Sequence, residues 1–455
     1  MKSFLIYGCG RSGVAAINLI WNKKDVFYLF DKDRKKQKEM YELFRAKSNI
    51  FVLSKLENDL INNLSLIIIS PSVSIYNKKI LYAKSKGIKV ISELELGFLS
   101  TKNNFLTITG TNGKTTTTKL LYDMLRCCKK KAELVGNIGI PVCEKVKGKR
   151  KTTFVCEVSS FQLEGCFSFK PKICGILNIT YDHLNRHKTF KRYKEEKLKI
   201  ARNMDKKSIL VLNNNCEPLK SEIDKFSCQI YFFDINKKCL GAYLKGSDIY
   251  FFNGKKDIRI ANISSTKLYG KHNFENVLCA TLIAKLYGVT NKCIQKAINN
   301  FVPYRHRLER IGNFLGVDYI DDSKATNIGA TKAAINSITQ KTILLLGGSE
   351  KGYDFKELFV DFPDCIKRVV VFGETANKIE VAAKESGVKN IEKFANLKSA
   401  TEYSVLSANS GEVVLLSPAC ASFDEFKNYK DRGEKFGEYV KEFVAKKTNQ
   451  KITFD

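Results

Sequence analysis

The sequence predicts an α/β protein of three domains: an N-terminal Rossmann-like domain, a central P-loop α/β domain with a mostly parallel sheet, and a C-terminal Rossmann-like domain. Three observations carry that expectation. Short apolar runs alternate with helix-compatible runs along the chain, which is the βαβ pattern. Two apolar runs end in glycine-rich turns that open directly into helices, at Gly8-Cys9-Gly10-Arg11-Ser12-Gly13 and at Thr109-Gly110-Thr111-Asn112-Gly113-Lys114-Thr115. The 455 residues exceed what one hydrophobic core accommodates.

The elements are expected in the following order. A strand over residues 4–7 meets the first turn, and a helix then runs to about Trp21. Strands follow at 26–30, ending at Asp31, at 66–69, closed by Ser70-Pro71, and at 90–91. These make up the first domain, residues 1–98. The second, 99–302, holds a strand at 105–108, the second turn and a helix over 116–128. Further strands are expected at 153–158, 173–178 and 209–212, an antiparallel patch over 230–260, and a helix over 273–287. The third domain, 303–455, has strands at 342–346, 368–372 and 412–416, a helix over 376–386 and a last helix from about Phe423. Proline is scarce, with 7 residues, so linkers are short.

The second turn carries the most chemistry. A strand, a Gly-rich turn and a helix N-terminus point backbone N–H groups at one spot, which suits phosphate oxygens. Lys114 reaches terminal phosphates and the Thr115 hydroxyl can hold Mg²⁺, so the chain handles a nucleoside triphosphate. Ile108 stands where the general P-loop pattern has glycine, which makes this a shorter form of the motif. The first turn, with Asp31 after the next strand, fits the dinucleotide fingerprint. One such turn would suit an oxidoreductase. Two phosphate-binding turns mean two phosphorylated ligands, and so a ligase or transferase.

Glu157 ends one strand and Asp182-His183 follows another. Strand carboxyl ends of a parallel sheet converge on one crevice, so these groups are expected beside the phosphate turn, where they can bind Mg²⁺. Of the 14 cysteines none forms a C-x-x-C pair, so neither a disulfide framework nor a zinc site is indicated. That pattern fits a reducing cytoplasm. The longest apolar runs are too short to cross a bilayer. A net charge of +30 favours anionic ligands, but the lysines are scattered and do not interleave with aromatics as in single-strand binders.

These clusters, in this order, resemble the Mur ligase family over essentially the whole chain. The marks are G-C-G-R-S-G, T-G-T-N-G-K-T, G-N-I-G-I-P from Gly136, E-V-S-S-F-Q-L-E from Glu157, N-I-T-Y-D-H-L-N-R-H from Asn178, H-N-F-E-N from His272, His306-Arg307, D-D-S-K-A-T-N from Asp321, and S-P-A-C-A-S-F-D-E-F-K-N-Y-K-D-R-G from Ser417. The last two point to members that add D-glutamate. The resemblance implies that ATP phosphorylates a carboxylate of UDP-N-acetylmuramoyl-L-alanine. The amine of D-glutamate then attacks through a tetrahedral intermediate, leaving amide, ADP and phosphate, in cytoplasmic peptidoglycan precursor synthesis.

The same resemblance implies the site. Lys114, Glu157, His183 and Lys197 would be catalytic. Gly110, Thr111, Asn112, Gly113, Lys114, Thr115, Thr116, Asn273, Asn276, Arg307 and Asp322 would bind ATP. Ser12, Asp31, Asn137 and His183 would bind the muramoyl nucleotide, Lys324 and Thr326 would line the cleft, and Lys351, Ser422, Phe423 and Tyr429 would hold D-glutamate. One Mg²⁺ would sit near Thr115 and Glu157, a second near His183 and a carbamylated Lys197. No nucleic-acid partner and no membrane insertion are implied, and a monomer is expected. The chain departs from the family at Tyr429 and Phe423, where Phe and Leu are commoner, and in Lys32-Asp33 after Asp31. Three rivals stand beside this reading. A sibling ligase would accept another amino acid. A basic nucleic-acid-dependent ATPase would be stimulated by DNA or RNA. An oxidoreductase would bind a nicotinamide dinucleotide at Asp31.

Overall fold

The structure, a computed structural model, describes residues 1–148, 151–266, 268, 270–350 and 352–452; for Asn185 and residues 449–452 it describes the backbone. The chain folds into two compact units, one of Met1–Thr266 with Glu275–Phe301, the other of Lys267–Phe274 with Val302–Asp455.

The first unit contains two sheets. The first is fully parallel, of β1 (Ser3–Tyr7), β2 (Val26–Phe30), β3 (Ile50–Leu53), β4 (Leu66–Ile69) and β5 (Val90–Ser92), in the order β3-β2-β1-β4-β5. Its strands are apolar at successive positions because both faces are covered. Ile6, Phe27, Leu29, Ile68 and Ile91 pack into one core, while their neighbours Leu5, Tyr7, Ile67, Ile69 and Val90 pack into another. The chain leaves β1 for β2 on one side and later crosses to β4 on the other. The first glycine turn therefore lies at the reversal point of the sheet, where ligand crevices form.

The second sheet has nine strands: β6 (Phe105–Thr109), β7 (Ala132–Gly136), β8 (Thr153–Glu157), β9 (Ile173–Ile176), β10 (Ile209–Asn213), β11 (Gln229–Asp234), β12 (Gly241–Lys245), β13 (Asp248–Phe252) and β14 (Asp257–Asn262). Their order is β14-β13-β12-β11-β10-β9-β6-β8-β7. β6 lies between β8 and β9, so the second glycine turn also sits at a reversal point. Within this unit the Ser92 N–H donates to the Gly165 carbonyl at 2.9 Å, and the Cys143 N–H to Glu93 Oε1 at 2.6 Å. These bonds fasten the end of the first sheet to the body of the second.

The second unit carries β15 (Glu309–Phe314), β16 (Val317–Asp321), β17 (Thr342–Gly347), β18 (Ile366–Phe372), β19 (Ile391–Phe394) and β20 (Val413–Ala419), in the order β15-β16-β20-β17-β18-β19. Only β15 with β16 is antiparallel. Alternate residues again feed two cores, Leu344, Leu346, Val369 and Val371 on one face, Ile343, Leu345, Val370 and Phe372 on the other.

Three sequence expectations need correction. The 230–260 patch is antiparallel only from β12 onward, because β11 pairs parallel with both β10 and β12. The last helix starts at Tyr429, not Phe423. Asn428 ends the intervening turns and accepts the Lys430 N–H at 2.9 Å and the Asp431 N–H at 3.2 Å, as a helix-capping side chain does. The helix after the second turn starts at Lys114, two residues earlier than expected, because Gly113 already holds the capping position.

Candidate active site

The phosphate turn is held by the segment after β9. Thr111 N–H donates to the Asn178 carbonyl at 2.9 Å and Asn112 N–H to Asn178 Oδ1 at 2.8 Å. Thr111 Oγ1 accepts the Thr180 N–H at 3.0 Å and lies 3.0 Å from the Tyr193 hydroxyl. Gly113 has φ +83°, and a β-carbon there would stand 2.1 Å from Asn276 Oδ1. Only glycine fits both the backbone conformation and the approach of Asn276. Asn276 Oδ1 in turn accepts from Thr117 Oγ1 at 3.2 Å, which anchors it against the Lys114–Cys127 helix. Thr115 is half-buried and Thr116 buried in the first turn of that helix.

Two lysines meet at one carbonyl. Lys114 Nζ donates to the Gly110 oxygen at 2.9 Å and the Thr111 oxygen at 2.8 Å. Lys197 Nζ donates to the same Gly110 oxygen at 2.7 Å. Lys197 is only 2 % exposed, at the end of the Phe190–Leu198 helix, with its Nζ 4.8 Å from the Tyr193 ring centroid. Burial, then the charge of Lys114, push its amine well below the ordinary lysine range, against the pull of Asp182 and Glu157. That shift favours the free amine, the form of a lysine that acts as a nucleophile.

Glu157 ends β8 and is buried. Its Oε1 accepts from Asn137 Nδ2 at 2.7 Å, while its backbone carbonyl takes the Asn137 N–H at 2.8 Å. Among the described residues no hydrogen-bond donor reaches its buried Oε2. Asp182 is buried too and accepts the His183 N–H at 2.8 Å. His183 has φ +54° and packs 4.8 Å from the Phe161 ring. The structure thus gathers Lys114, Glu157, His183 and Lys197 around the turn. An orphaned carboxylate oxygen among them is what a hard cation such as Mg²⁺ would satisfy.

At the first turn, Gly8 has φ +94° and a β-carbon there would lie 2.7 Å from Ser70 Cβ. Ser70 Oγ donates to the Gly8 carbonyl at 2.6 Å. Asp31 accepts the Cys9 N–H at 2.7 Å and the Asp33 N–H at 3.0 Å, so its carboxylate braces the turn from the end of β2. Ser12 is half-buried in the first turn of the following helix. A side chain the sequence did not single out links the two sheets of this unit. Arg186 donates to Glu164 Oε1 at 2.9 Å and to the carbonyls of Pro71 at 2.8 Å and Val73 at 3.0 Å. That ties the loop after β4 to the His183 segment.

In the second unit, Asp322 is buried and accepts from Ser417 Oγ at 2.7 Å and from the Leu308 N–H at 3.2 Å. Burial raises its carboxyl to about 7, with those hydrogen bonds and Arg307 opposing. Arg307, Lys324 and Thr326 are half-buried, with Lys324 Nζ 4.1 Å over the Tyr429 ring. Ser422 is buried, whereas Phe423 is 73 % exposed. Asn273 lies three residues before Asn276 on the Lys271–Leu286 helix. Lys351 lies outside the described residues. Two buried pairs were not foreseen. His306 Nδ1 is 2.6 Å from Asp321 Oδ2. Arg432 donates to Ser323 Oγ and O at 2.9 Å, Ala421 O at 2.9 Å and Cys420 O at 3.0 Å. Arg432 stands in the Ser417–Gly433 stretch, but nothing in sequence distinguishes it from 76 other basic residues of the 77.

The chain is similar to known proteins along most of its length. Family models match residues 2–92 (Mur ligase MurD-like, N-terminal domain), 108–284 (Mur ligase middle domain) and 306–420 (Mur ligase, glutamate ligase domain). The chain is 36% identical over 446 residues to the UDP-N-acetylmuramoylalanine–D-glutamate ligase of Lachnoclostridium phytofermentans, covering 96% of this chain and 98% of that one. It is 36% identical over 444 residues to the ligase of the same name from Clostridioides difficile, with coverages of 96% and 98%. Among solved structures, MurF ligase from Thermotoga maritima in complex with ADP superposes with a TM-score of 0.62 at 16% identity, covering 97% of this chain and 98% of that one. UDP-N-acetylmuramate–alanine ligase MurC from the same organism gives 0.57 at 19% identity, covering 99% and 100%. At these identities the solved structures speak for the fold.

Proposed function

This chain belongs to the Mur ligase family, and from that premise we infer that it joins D-glutamate to UDP-N-acetylmuramoyl-L-alanine while ATP is converted to ADP and phosphate. The observation that carries the reading is the meeting of Lys114, Lys197, Glu157 and His183 at a phosphate turn, in a chain 36% identical to D-glutamate ligases over their whole length. A carboxylate is a poor electrophile, and phosphorylation supplies it with a leaving group. Phosphoryl transfer needs positioning and charge neutralisation more than covalent help. The Gly110–Thr116 turn cradles the phosphates and Lys114 swings from its backbone acceptors to the terminal one. The carboxylate oxygen attacks the γ-phosphorus and ADP leaves. The amine of D-glutamate then attacks the acyl carbon, loses a proton, and phosphate departs.

Thr115 and Glu157 would hold one Mg²⁺, His183 and the carbamate of Lys197 a second; bound there, the cations neutralise phosphate charge. The lowered affinity of Lys197 for a proton supports the carbamate: the free amine adds CO₂ and loses a proton, which puts an anion beside Lys114. Asn273, Asn276, Arg307 and Asp322 complete the ATP contacts. Ser12, Asp31 and Asn137 serve the muramoyl nucleotide. Lys324, Thr326, Lys351, Ser422, Phe423 and Tyr429 serve the amino acid. In this reading residues 1–98 hold the UDP end, 99–302 the ATP and 303–455 D-glutamate, in a monomer working in the cytoplasm. Among the described residues no helix is long and apolar enough to cross a membrane. The test is phosphate release measured across D- and L-amino acids with the muramoyl nucleotide and ATP. D-Glutamate alone should support turnover. Turnover stimulated by nucleic acid and indifferent to amino acids would overturn the assignment.

A further inference from the structure

The Arg186 guanidinium bonds to two separate parts of the first unit. Nε and Nη2 grip the two oxygens of Glu164, at 2.9 and 2.5 Å, in the planar fork that suits a carboxylate. Nη1 and Nη2 also donate to the carbonyls of Pro71 and Val73, at 2.8 and 3.0 Å. The Glu164 side chain is fully buried and that of Arg186 is 12 % exposed. A buried ion pair is weak evidence for stability, because desolvation offsets the attraction; its better attested use is to fix register. On one side of Arg186, the loop after β4 backs the first glycine turn. Ser70 Oγ donates to the Gly8 carbonyl at 2.6 Å, and a β-carbon on Gly8 would lie 3.0 Å from Val73 Cγ2. On the other side, the guanidinium carbon lies 4.3 Å from the Phe161 ring centroid, and the His183 ring centroid lies 4.8 Å from the same point. The Arg186 N–H donates to the His183 carbonyl at 3.0 Å. Glu164 caps the Ser160–Leu163 helix, which follows Glu157 in the chain.

We propose that Arg186 is a positioning residue that holds the first glycine turn in register with His183, so that a substrate anchored at the first turn presents its reacting carboxylate at the second. This role rests on the ligase reading, in which the UDP end and the carboxylate are opposite ends of one molecule. The reacting geometry then depends on the spacing of two sheets that share no strand. The Ser92–Gly165 and Cys143–Glu93 bonds fasten the edge strand β5 and the helix after it. Arg186 fastens the loop beside the ligand crevice. A misplacement of about 1 Å can cost on the order of 10²-fold in rate, so the link acts on turnover and not only on binding. Lysine cannot replace it. A single ammonium pairs with Glu164 but lacks the planar fork that reaches the Pro71 and Val73 carbonyls at the same time. The second link runs through Phe161, whose ring packs against both the guanidinium and the His183 imidazole.

The experiment measures phosphate release by full-length Arg186→Lys, with UDP-N-acetylmuramoyl-L-alanine, ATP and D-glutamate varied in turn. The KM for the muramoyl nucleotide should rise about tenfold and kcat should fall about tenfold. The KM for ATP should stay within about twofold, because the Gly110–Thr116 turn keeps its own bonds to Asn178. A residue serving stability alone would lower the melting temperature and leave the KM values of the folded protein unchanged. No kinetic change, a fall in kcat with every KM unchanged, or an equal rise in the KM of both nucleotides overturns the proposal. Phe161→Leu keeps the loop contacts and removes the ring between Arg186 and His183. It should lower kcat about tenfold and leave the muramoyl KM within about twofold; an unchanged kcat overturns the proposal. That variant decides the matter if Arg186→Lys fails to fold. A wild type without D-glutamate-dependent turnover sinks the ligase reading and this role with it. An active wild type whose constants Arg186→Lys reproduces sinks this role alone.

Discussion

Replacing Lys197 with alanine tests the carbamate most directly. The change removes three buried methylenes, which costs about 2.4 kcal/mol of apolar burial. It also removes the hydrogen bond to the Gly110 carbonyl, about 1 kcal/mol more. Against this, it relieves a buried amine of its desolvation and of the Lys114 charge beside it. The net loss is roughly 2–3 kcal/mol, below the ~5–15 kcal/mol of a typical domain, so the variant should fold. Its turnover should nevertheless fall by about 10²-fold or more, because the anion proposed to stand beside the phosphates is gone. The deleted side chain leaves a pocket roughly the size of a short acid. Formate, acetate or propionate should then restore part of kcat in a phosphate-release assay, in a concentration-dependent way. Circular dichroism and thermal melting establish that the variant is folded. Full activity without any added acid, or no rescue by any acid in a folded variant, would refute the reasoning.

Further outcomes follow from the same geometry. Lys114→Ala should lower kcat/KM by about 10³-fold while leaving the melting temperature nearly unchanged, since its Nζ bonds only reinforce the turn. Gly113→Ala should raise the KM for ATP and cost about 2–3 kcal/mol in denaturant titration, from the left-handed φ and the displaced Asn276. Arg432→Met should lower stability by about 3–5 kcal/mol, because it strands the buried carbonyls of Ser323, Cys420 and Ala421, with urea midpoints as the readout. Glu93 is buried, and burial raises its carboxyl from 4.5 to about 7 in the folded protein. The folded state then holds a proton that the unfolded chain has released. Its contribution to stability is fully present below about pH 4.5 and is lost as pH rises through about 7. Glu93→Gln should therefore gain stability relative to wild type at pH 8 over pH 5 in urea titrations; a pH-independent difference would contradict the assignment.

The sequence by itself determined the alternation of strands and helices, the two glycine turns and the chemistry of the Thr109–Thr115 segment. These are local properties. A strand buried on both faces must be apolar at every position, and a turn at φ +83° needs glycine whatever packs around it. Where local signals ran out, the reading ran out too. The start of the last helix was misplaced because Phe423 looks like a helix-face residue, while the cap at Asn428 is set by bonds to Lys430 and Asp431. β11 looked like its antiparallel neighbours because alternation does not record the direction of a partner strand. Lys197 shows the limit most clearly. In Glu195-Glu196-Lys197-Leu198-Lys199 it reads as a solvated helix lysine, and only the resemblance to a family marked it. The tertiary structure alone decides that it is buried against Gly110 and Lys114, which holds its amine well below the ordinary lysine range. Arg186, Arg432 and the His306–Asp321 pair were illegible for the same reason. The state of a charge depends on burial and on the groups that folding brings near, and those arrive from distant parts of the chain.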